Sequence, residues 1–114
     1  MTLVDTSVWV DHFRRGNVKL QHLLAEGTVL THPFVIGELA CGSIKNRHEV
    51  LGLLTALPHA SVAEHDEVLE MLHRKQLFGR GLGWIDAHLL ASAVLSQAVL
   101  WTLDRPLNNA IQRL

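Results

Sequence analysis

Short apolar runs alternate with longer helical patterns along the whole chain, and this alternation limits the folds that the sequence can adopt. The apolar runs predict strands at residues 3–5, 28–32, 60–63 and 98–103. The segments between them predict helices at residues 7–15, 18–26, 33–45, 47–57, 66–78, 84–96 and 106–113. Nearly continuous apolar strands that are separated by helices are typical of a parallel sheet covered on both faces. We therefore predict a three-layer α/β/α fold with a short, mainly parallel central sheet.

The size and composition of the chain fit one compact domain. A chain of 114 residues can bury roughly two thirds of its unfolded surface around one core, so we expect residues 1–114 to form a single domain. Hydrophobic residues make up 48% of the chain and charged residues 18%, which excludes a disordered protein. The 10 Lys and Arg nearly balance the 11 Asp and Glu, so any polyanion would have to be held by local clusters of cations.

The sequence also predicts the compartment. Residues 1–8 show no basic leader before an apolar core, so no secretory signal is apparent. The longest apolar stretch, residues 87–101, is interrupted by a histidine, two serines and a glutamine, and we expect no membrane association. The single cysteine, Cys41, cannot form an internal disulfide, and its apolar neighbours predict a buried thiol. These features together predict a cytoplasmic protein.

Four acidic residues stand in apolar surroundings. They are Asp5 in TLVDTSV, Glu38 in FVIGELAC, Asp86 in GWIDAHLL and Asp104 in LWTLDRPL. Asp5 and Asp104 lie at the C-terminal ends of predicted strands, at the edge where open α/β sheets bind ligands. Asp86 lies in the first turn of a predicted helix and Glu38 about one turn or slightly more into another, so both could point at the same edge. A shared pocket for the four carboxylates is therefore geometrically plausible.

A simpler interpretation exists for three of these acids. Asp5, Asp86 and Asp104 precede or begin predicted helices, where a carboxylate caps the helix or favours its first turn. Glu38 has no such explanation, because it lies inside a predicted helix between apolar residues and would need a buried partner.

If the four carboxylates meet, their repulsion has to be neutralised. Two carboxylates about 5 Å apart repel by roughly 3 kcal/mol at an effective dielectric constant of ~20, a large share of the roughly 5–15 kcal/mol that stabilises a small domain. Protons or a divalent cation can remove this repulsion. A set of oxygen ligands favours Mg²⁺ or Mn²⁺, and such an ion can activate water and stabilise the charge that builds on a phosphate.

The segments that carry these acids resemble the PIN-domain family. The resemblance covers essentially the whole chain, and its order and length are similar to the VapC-type toxins of type II (VapBC) toxin–antitoxin modules; the matching segments are LVDTSVWVD, GELACG, GWIDAHLLASA and TLD. It implies a Mg²⁺-dependent endoribonuclease, with Mn²⁺ as a possible substitute, and an RNA substrate. It further implies a VapB-type antitoxin and a homodimer. The metal ligands that it implies, which also position the attacking water, are Asp5, Glu38, Asp86 and Asp104. The hydroxyls of Thr6 and Thr102 would orient the carboxylates or the water.

Other functions remain open at this stage. A PIN-type nuclease that acts on structured DNA, and a PIN scaffold that binds metal without catalysis, would carry the same acids. A receiver-type signalling domain would need a lysine after a late strand, and the chain has lysines only at positions 19, 45 and 75. A phosphatase similar to the haloacid dehalogenases would need an aspartate where Ser7 stands.

The remaining polar and aromatic residues have structural interpretations. The eight histidines lack paired ligand spacing, and we predict that they lie at the surface or make local hydrogen bonds. The three tryptophans stand among aliphatic residues, which predicts core or dimer-interface positions rather than base stacking. Three groups of cations, within residues 14–19, 45–47 and 74–80, could contact an RNA backbone, although a solvated surface is the simpler interpretation.

Overall fold

Three short strands form one parallel sheet at the centre of the molecule. The structure is a computed structural model that describes all 114 residues. The strands are β1 (Thr2–Val4), β2 (Val29–Leu30) and β3 (Val99–Trp101), in the order β2-β1-β3. Thr2 lies opposite both Val29 and Val99. Because β1 pairs with β2 on one side and β3 on the other, the strand order reverses at the carboxyl end of β1.

Seven helices surround this sheet. They are α1 (Thr6–Arg15), α2 (Val18–Ala25), α3 (Pro33–Ala40), α4 (Arg47–Ala56), α5 (His65–Arg74), α6 (Trp84–Leu95) and α7 (Arg105–Gln112). Leu3 and Val4 point to opposite faces of the sheet, and both are completely buried, so both faces are covered. The predicted α/β class and parallel sheet are confirmed. No helix combines the length and the apolar character that crossing a bilayer requires.

The predicted strand at residues 60–63 is wrong. Residues 60–63 form no strand; the preceding residue, His59, forms one isolated bridge with Thr31, and Ala60 N–H donates to the Thr31 carbonyl. The backbone N–H groups of Ser61 and Ala63 instead donate to the hydroxyls of Ser96 and Ser92 at the end of and within α6, at 2.9 and 3.0 Å. Side-chain oxygens of a helix therefore satisfy the donors that a strand would have offered to a neighbouring strand.

Two helices end earlier than the sequence indicates. Helix α3 ends at Ala40 rather than near residue 45, and α5 ends at Arg74 rather than near residue 78. After each helix a residue adopts a positive φ, 55° at Asn46 and 52° at Gln76, which redirects the chain. The early end of α3 also exposes Cys41, so the prediction of a buried thiol is wrong.

Two of the eight histidines lie in the interior. His32 is completely buried and His88 nearly so, and both contact the ring of Phe34. Trp9 is buried as predicted, whereas Trp84 is 39% exposed and contacts the His88 ring edge-on. Burial lowers the pKa of His88, and His65 lowers it further.

The side chain of His32 joins helices α3 and α6. Phe34 N–H donates to Nδ1 of His32 at 3.0 Å, which caps the start of α3. The proton of the neutral ring therefore lies on Nε2, which donates to the Ser92 hydroxyl of α6 at 3.0 Å. Ala63 N–H donates to the same hydroxyl. Burial lowers the pKa of His32 to about 4, and the nearby His88 and His59 contribute to the decrease.

Acidification is expected to destabilise the fold through His32. The unfolded imidazole takes up a proton near pH 6.5 and the folded one only near pH 4. The unfolded state therefore binds more protons in that window, and the free energy of unfolding falls as the pH falls, by up to about 3 kcal/mol. His32→Asn keeps a capping acceptor for Phe34 N–H but cannot titrate, so it should show a smaller loss.

Urea denaturation at about pH 7.5 and 4.5 measures this difference. The exposed His48 of α4 provides the matched control, since His48→Asn should keep the wild-type pH dependence. An equal loss of stability in the wild type and in His32→Asn would contradict the assignment.

Candidate functional site

Asp5 lies at the carboxyl edge of the sheet, directly after β1, and its residue is only 5% exposed. Its Oδ2 accepts hydrogen bonds from the hydroxyls of Ser7 and Thr102, both at 2.7 Å. No protein group donates to Oδ1. Although Asp5 precedes α1, its side chain does not cap that helix, so the capping interpretation is wrong here. The fold instead holds a buried carboxylate with one oxygen available to a ligand.

The two hydroxyls beside Asp5 also hold the turn between β3 and α7. Ser7 Oγ accepts from Leu103 N–H and Thr102 Oγ1 from Asp104 N–H, each at 3.0 Å. These bonds fix Asp104 relative to Asp5. Sequence reasoning did not assign Ser7 a place in this arrangement. The signal was a small hydroxyl residue two positions after the acid, within the first turn of α1.

Asp104 has two roles that the sequence left as alternatives, capping a helix and belonging to the group of acids at the edge of the sheet. Its Oδ2 accepts from Leu107 N–H at 3.1 Å and caps α7, so the capping interpretation is confirmed for this residue. Asp104 is half-buried, and its charge reaches Asp86. Capping and membership of an acidic cluster are therefore not exclusive.

Asp86 lies in the first turn of α6 and is electrostatically coupled to the other two aspartates. Its Oδ2 accepts from Gly83 N–H at 3.2 Å, which lowers its pKa. Burial outweighs this effect and raises the pKa of Asp86, and the negative charges of Asp5 and Asp104 raise it further. The charges of Asp5 and Asp104 thus act on Asp86, and the hydroxyl of Thr102 joins Asp5 to the backbone of Asp104 by hydrogen bonds.

Glu38 lies on the solvent face of α3, and the prediction that it needs a buried partner is wrong. Val35 and Leu39 form the buried face of the helix, whereas Glu38 is exposed. Its Oε1 accepts a 2.7 Å hydrogen bond from the hydroxyl of Thr6. Thr6 directly follows Asp5, so this bond ties Glu38 to the same edge of the sheet.

The aspartates suit a hydrated hard cation. No three Asp, Glu, His or Cys side chains lie close enough together to surround an ion by themselves. Mg²⁺ usually keeps several waters and takes only one or two carboxylates directly, so such a site does not require that arrangement. Oδ1 of Asp5, which accepts no hydrogen bond from the protein, supplies a ligand atom. Burial is the main cause of the raised pKa of Asp86, and a cation would neutralise the charges of Asp5 and Asp104 that raise it further.

Comparisons with known proteins agree with this geometry. The PIN domain family matches residues 2–110. The chain is 50% identical, over 111 residues, to ribonuclease VapC32 of Mycobacterium tuberculosis strain CDC 1551 / Oshkosh and to the protein of the same name in strain ATCC 25618 / H37Rv. Each alignment covers 96% of this chain and 90% of the relative. The chain belongs to the PIN domain family. Within that family it groups with the VapC proteins, which confirms the resemblance found in the sequence.

Proposed function

We propose that the protein is a Mg²⁺-dependent endoribonuclease that hydrolyses RNA phosphodiester bonds and acts as the toxin of a toxin–antitoxin pair. The observation that carries this proposal is the arrangement at the carboxyl edge of the sheet, where Ser7 and Thr102 hold the carboxylate of Asp5 and Thr102 also joins it to Asp104. The charges of both aspartates act on Asp86. The 50% identity to a protein named a ribonuclease supports RNA as the substrate.

The side chains divide into ligands and positioning groups. Asp5, Asp86, Asp104 and Glu38 would hold Mg²⁺ or Mn²⁺, with the unpartnered Oδ1 of Asp5 as one ligand atom. When bound, the cation supplies an activated water and neutralises charge on the phosphate. The hydroxyl of Thr102 holds Asp5 and that of Thr6 holds Glu38, which fixes the direction of both carboxylates before substrate binds. Ser7 extends this support through its bond to Asp5.

Family membership also supports a set of partners. We propose a VapB-type antitoxin, a homodimer, and action in the cytoplasm by residues 1–114 as one nuclease domain. Apolar side chains exposed at the end of α6 and the start of β3, those of Val94, Leu95 and Val99, support association with a second protein surface.

Cleavage of a labelled single-stranded RNA by the purified protein tests the proposed function. We expect cleavage in Mg²⁺ or Mn²⁺, its complete loss in EDTA, and its return when excess Mg²⁺ is added. The same assay with duplex RNA and with a DNA hairpin tests the substrate. Undiminished cleavage in EDTA, or a preference for the DNA hairpin, would contradict the proposal.

A further inference from the structure

We propose that a groove beside Glu38 binds the sugar–phosphate backbone of single-stranded RNA next to the cleaved bond, with Arg14 and Lys45 as its phosphate contacts. The inference rests on the proposed function, because it assigns the substrate's path across the same site. It follows from the volume of the groove, from the position of its cations, and from the way in which other cations of the chain are already engaged.

The groove runs between α1 and the segment that follows α3. Its volume is about 500 Å³, within the range of roughly 300–1,000 Å³ that is usual for ligand sites. Glu38 and Thr6 lie on its wall, and they are the pair whose hydrogen bond ties α3 to the residue after Asp5. The groove therefore adjoins Glu38 and the residue that directly follows Asp5.

Arg14 and Lys45 line this groove and form no ion pair or hydrogen bond with the protein. Nearby cations are engaged elsewhere. Arg15 Nε lies 2.6 Å from Asp11 Oδ1, and Lys19 Nζ lies 4.5 Å from the centre of the Trp101 ring. The two adjacent arginines therefore differ in their partners: Arg15 pairs with a carboxylate, whereas the guanidinium of Arg14 is free in the groove.

The two cations near the other end of the groove differ in the same way, since one is bonded to the protein and the other is not. Arg47 donates to the Ala40 carbonyl at 2.8 Å, which closes the turn after α3. Lys45, two residues earlier, lies in the groove instead. Of the cations that the sequence offered as RNA contacts, only Arg14 and Lys45 line the groove beside Glu38.

The composition of the groove favours a single strand. Phe13 lines it and is 38% exposed, and Val10, Leu39 and Ile44 add apolar surface. Free cations beside an exposed aromatic ring are the combination that binds unpaired nucleic acid, because the cations contact phosphates and the ring stacks on a base. The net charge of −1 gives no general attraction for RNA, so local contacts of this kind have to provide it.

The charge of Glu38 limits where the phosphates of the bound strand can lie. Its carboxylate repels a phosphate unless a cation lies between them, so the phosphates near the solvent end should lie against Arg14 and Lys45. Only the phosphate that undergoes cleavage should approach Glu38. The groove would therefore bind nucleotides on one side of the cleaved bond.

Binding of a fluorescent single-stranded RNA, measured by anisotropy in EDTA at several salt concentrations, tests the inference without cleavage. Arg14→Gln and Lys45→Gln should each raise the dissociation constant about fivefold and reduce the slope of log K against log salt by about 0.7. Arg15→Gln and Arg47→Gln are the matched controls and should stay near wild type. In Mg²⁺, Arg14→Gln and Lys45→Gln should raise KM and leave kcat unchanged.

The outcomes separate this inference from the proposed function. RNA binding that depends on Arg14 and Lys45, with no cleavage by the wild type in Mg²⁺, would support the groove and overturn the nuclease proposal. Cleavage by the wild type with equal effects of Arg14→Gln and Arg15→Gln would overturn the groove alone. Failure of the wild type to bind RNA at low salt would overturn the groove as well.

Discussion

Replacement of Asp5 by asparagine is expected to lower the rate of RNA cleavage by about a thousandfold or more. Asparagine has the same shape and can still accept hydrogen bonds from Ser7 and Thr102, but it lacks the charge that binds a cation. Asp86→Asn should also lower the rate of cleavage, because the charges of Asp5 and Asp104 act on the carboxylate of Asp86, which we propose as a ligand of the same cation. Initial rates in saturating Mg²⁺ measure both losses.

Asp66 supplies the matched control for these variants. It lies in the first turn of α5, as Asp86 lies in the first turn of α6, but it is exposed. Asp66→Asn should keep a rate within about twofold of wild type, as is usual for a surface substitution. Wild-type activity in Asp5→Asn, or an equal loss in Asp66→Asn, would remove the basis for the site.

Mg²⁺ is expected to raise the melting temperature of the wild type by roughly 10 °C at a hundredfold excess over its dissociation constant, which corresponds to about 2.7 kcal/mol. We expect this rise because the proposed ion would bind the folded protein and neutralise the three aspartates. Asp86→Asn should show a rise several degrees smaller. Differential scanning fluorimetry with and without Mg²⁺ measures both shifts.

The same melting experiments, carried out without Mg²⁺, should show a change in melting temperature of the opposite sign. In EDTA, Asp86→Asn should melt at a higher temperature than the wild type, because it removes a partly buried charge that Asp5 and Asp104 repel. Asparagine can still accept from Gly83 N–H, so the bond at the start of α6 is kept. A lower melting temperature in EDTA together with an unchanged Mg²⁺ shift would show that Asp86 supports the fold rather than a cation.

The position of Asp5 and Asp104 at the carboxyl edge of the sheet could be predicted from sequence because it follows from local patterns. Asp5 comes directly after an apolar strand, and parallel strands place their carboxyl ends on one edge. Asp104 follows the last strand in the same way. The segments around Asp86 and Glu38 added the resemblance to the PIN-domain family, which the comparisons confirm.

The features that the sequence did not reveal depend on tertiary contacts. Residues 60–63 have the composition of a strand, but hydroxyls on α6 take their donors. The bond that Leu103 N–H donates to Ser7, which holds the turn after β3, depends on the placement of β3 beside β1. Glu38 and Cys41 looked buried because their neighbours are apolar, yet Glu38 lies on the solvent face of α3 and Cys41 is exposed where that helix ends. Periodicity within a short apolar helix does not determine which face meets the core.

The most direct test of the central claim is a crystal grown with Mn²⁺ and measured at a wavelength where manganese scatters anomalously. We expect one strong anomalous peak at the carboxyl edge of the sheet, beside Asp5 and between Asp86 and Asp104. A peak confined to another part of the surface, or no peak at millimolar Mn²⁺, would contradict the claim that these aspartates together hold a catalytic cation.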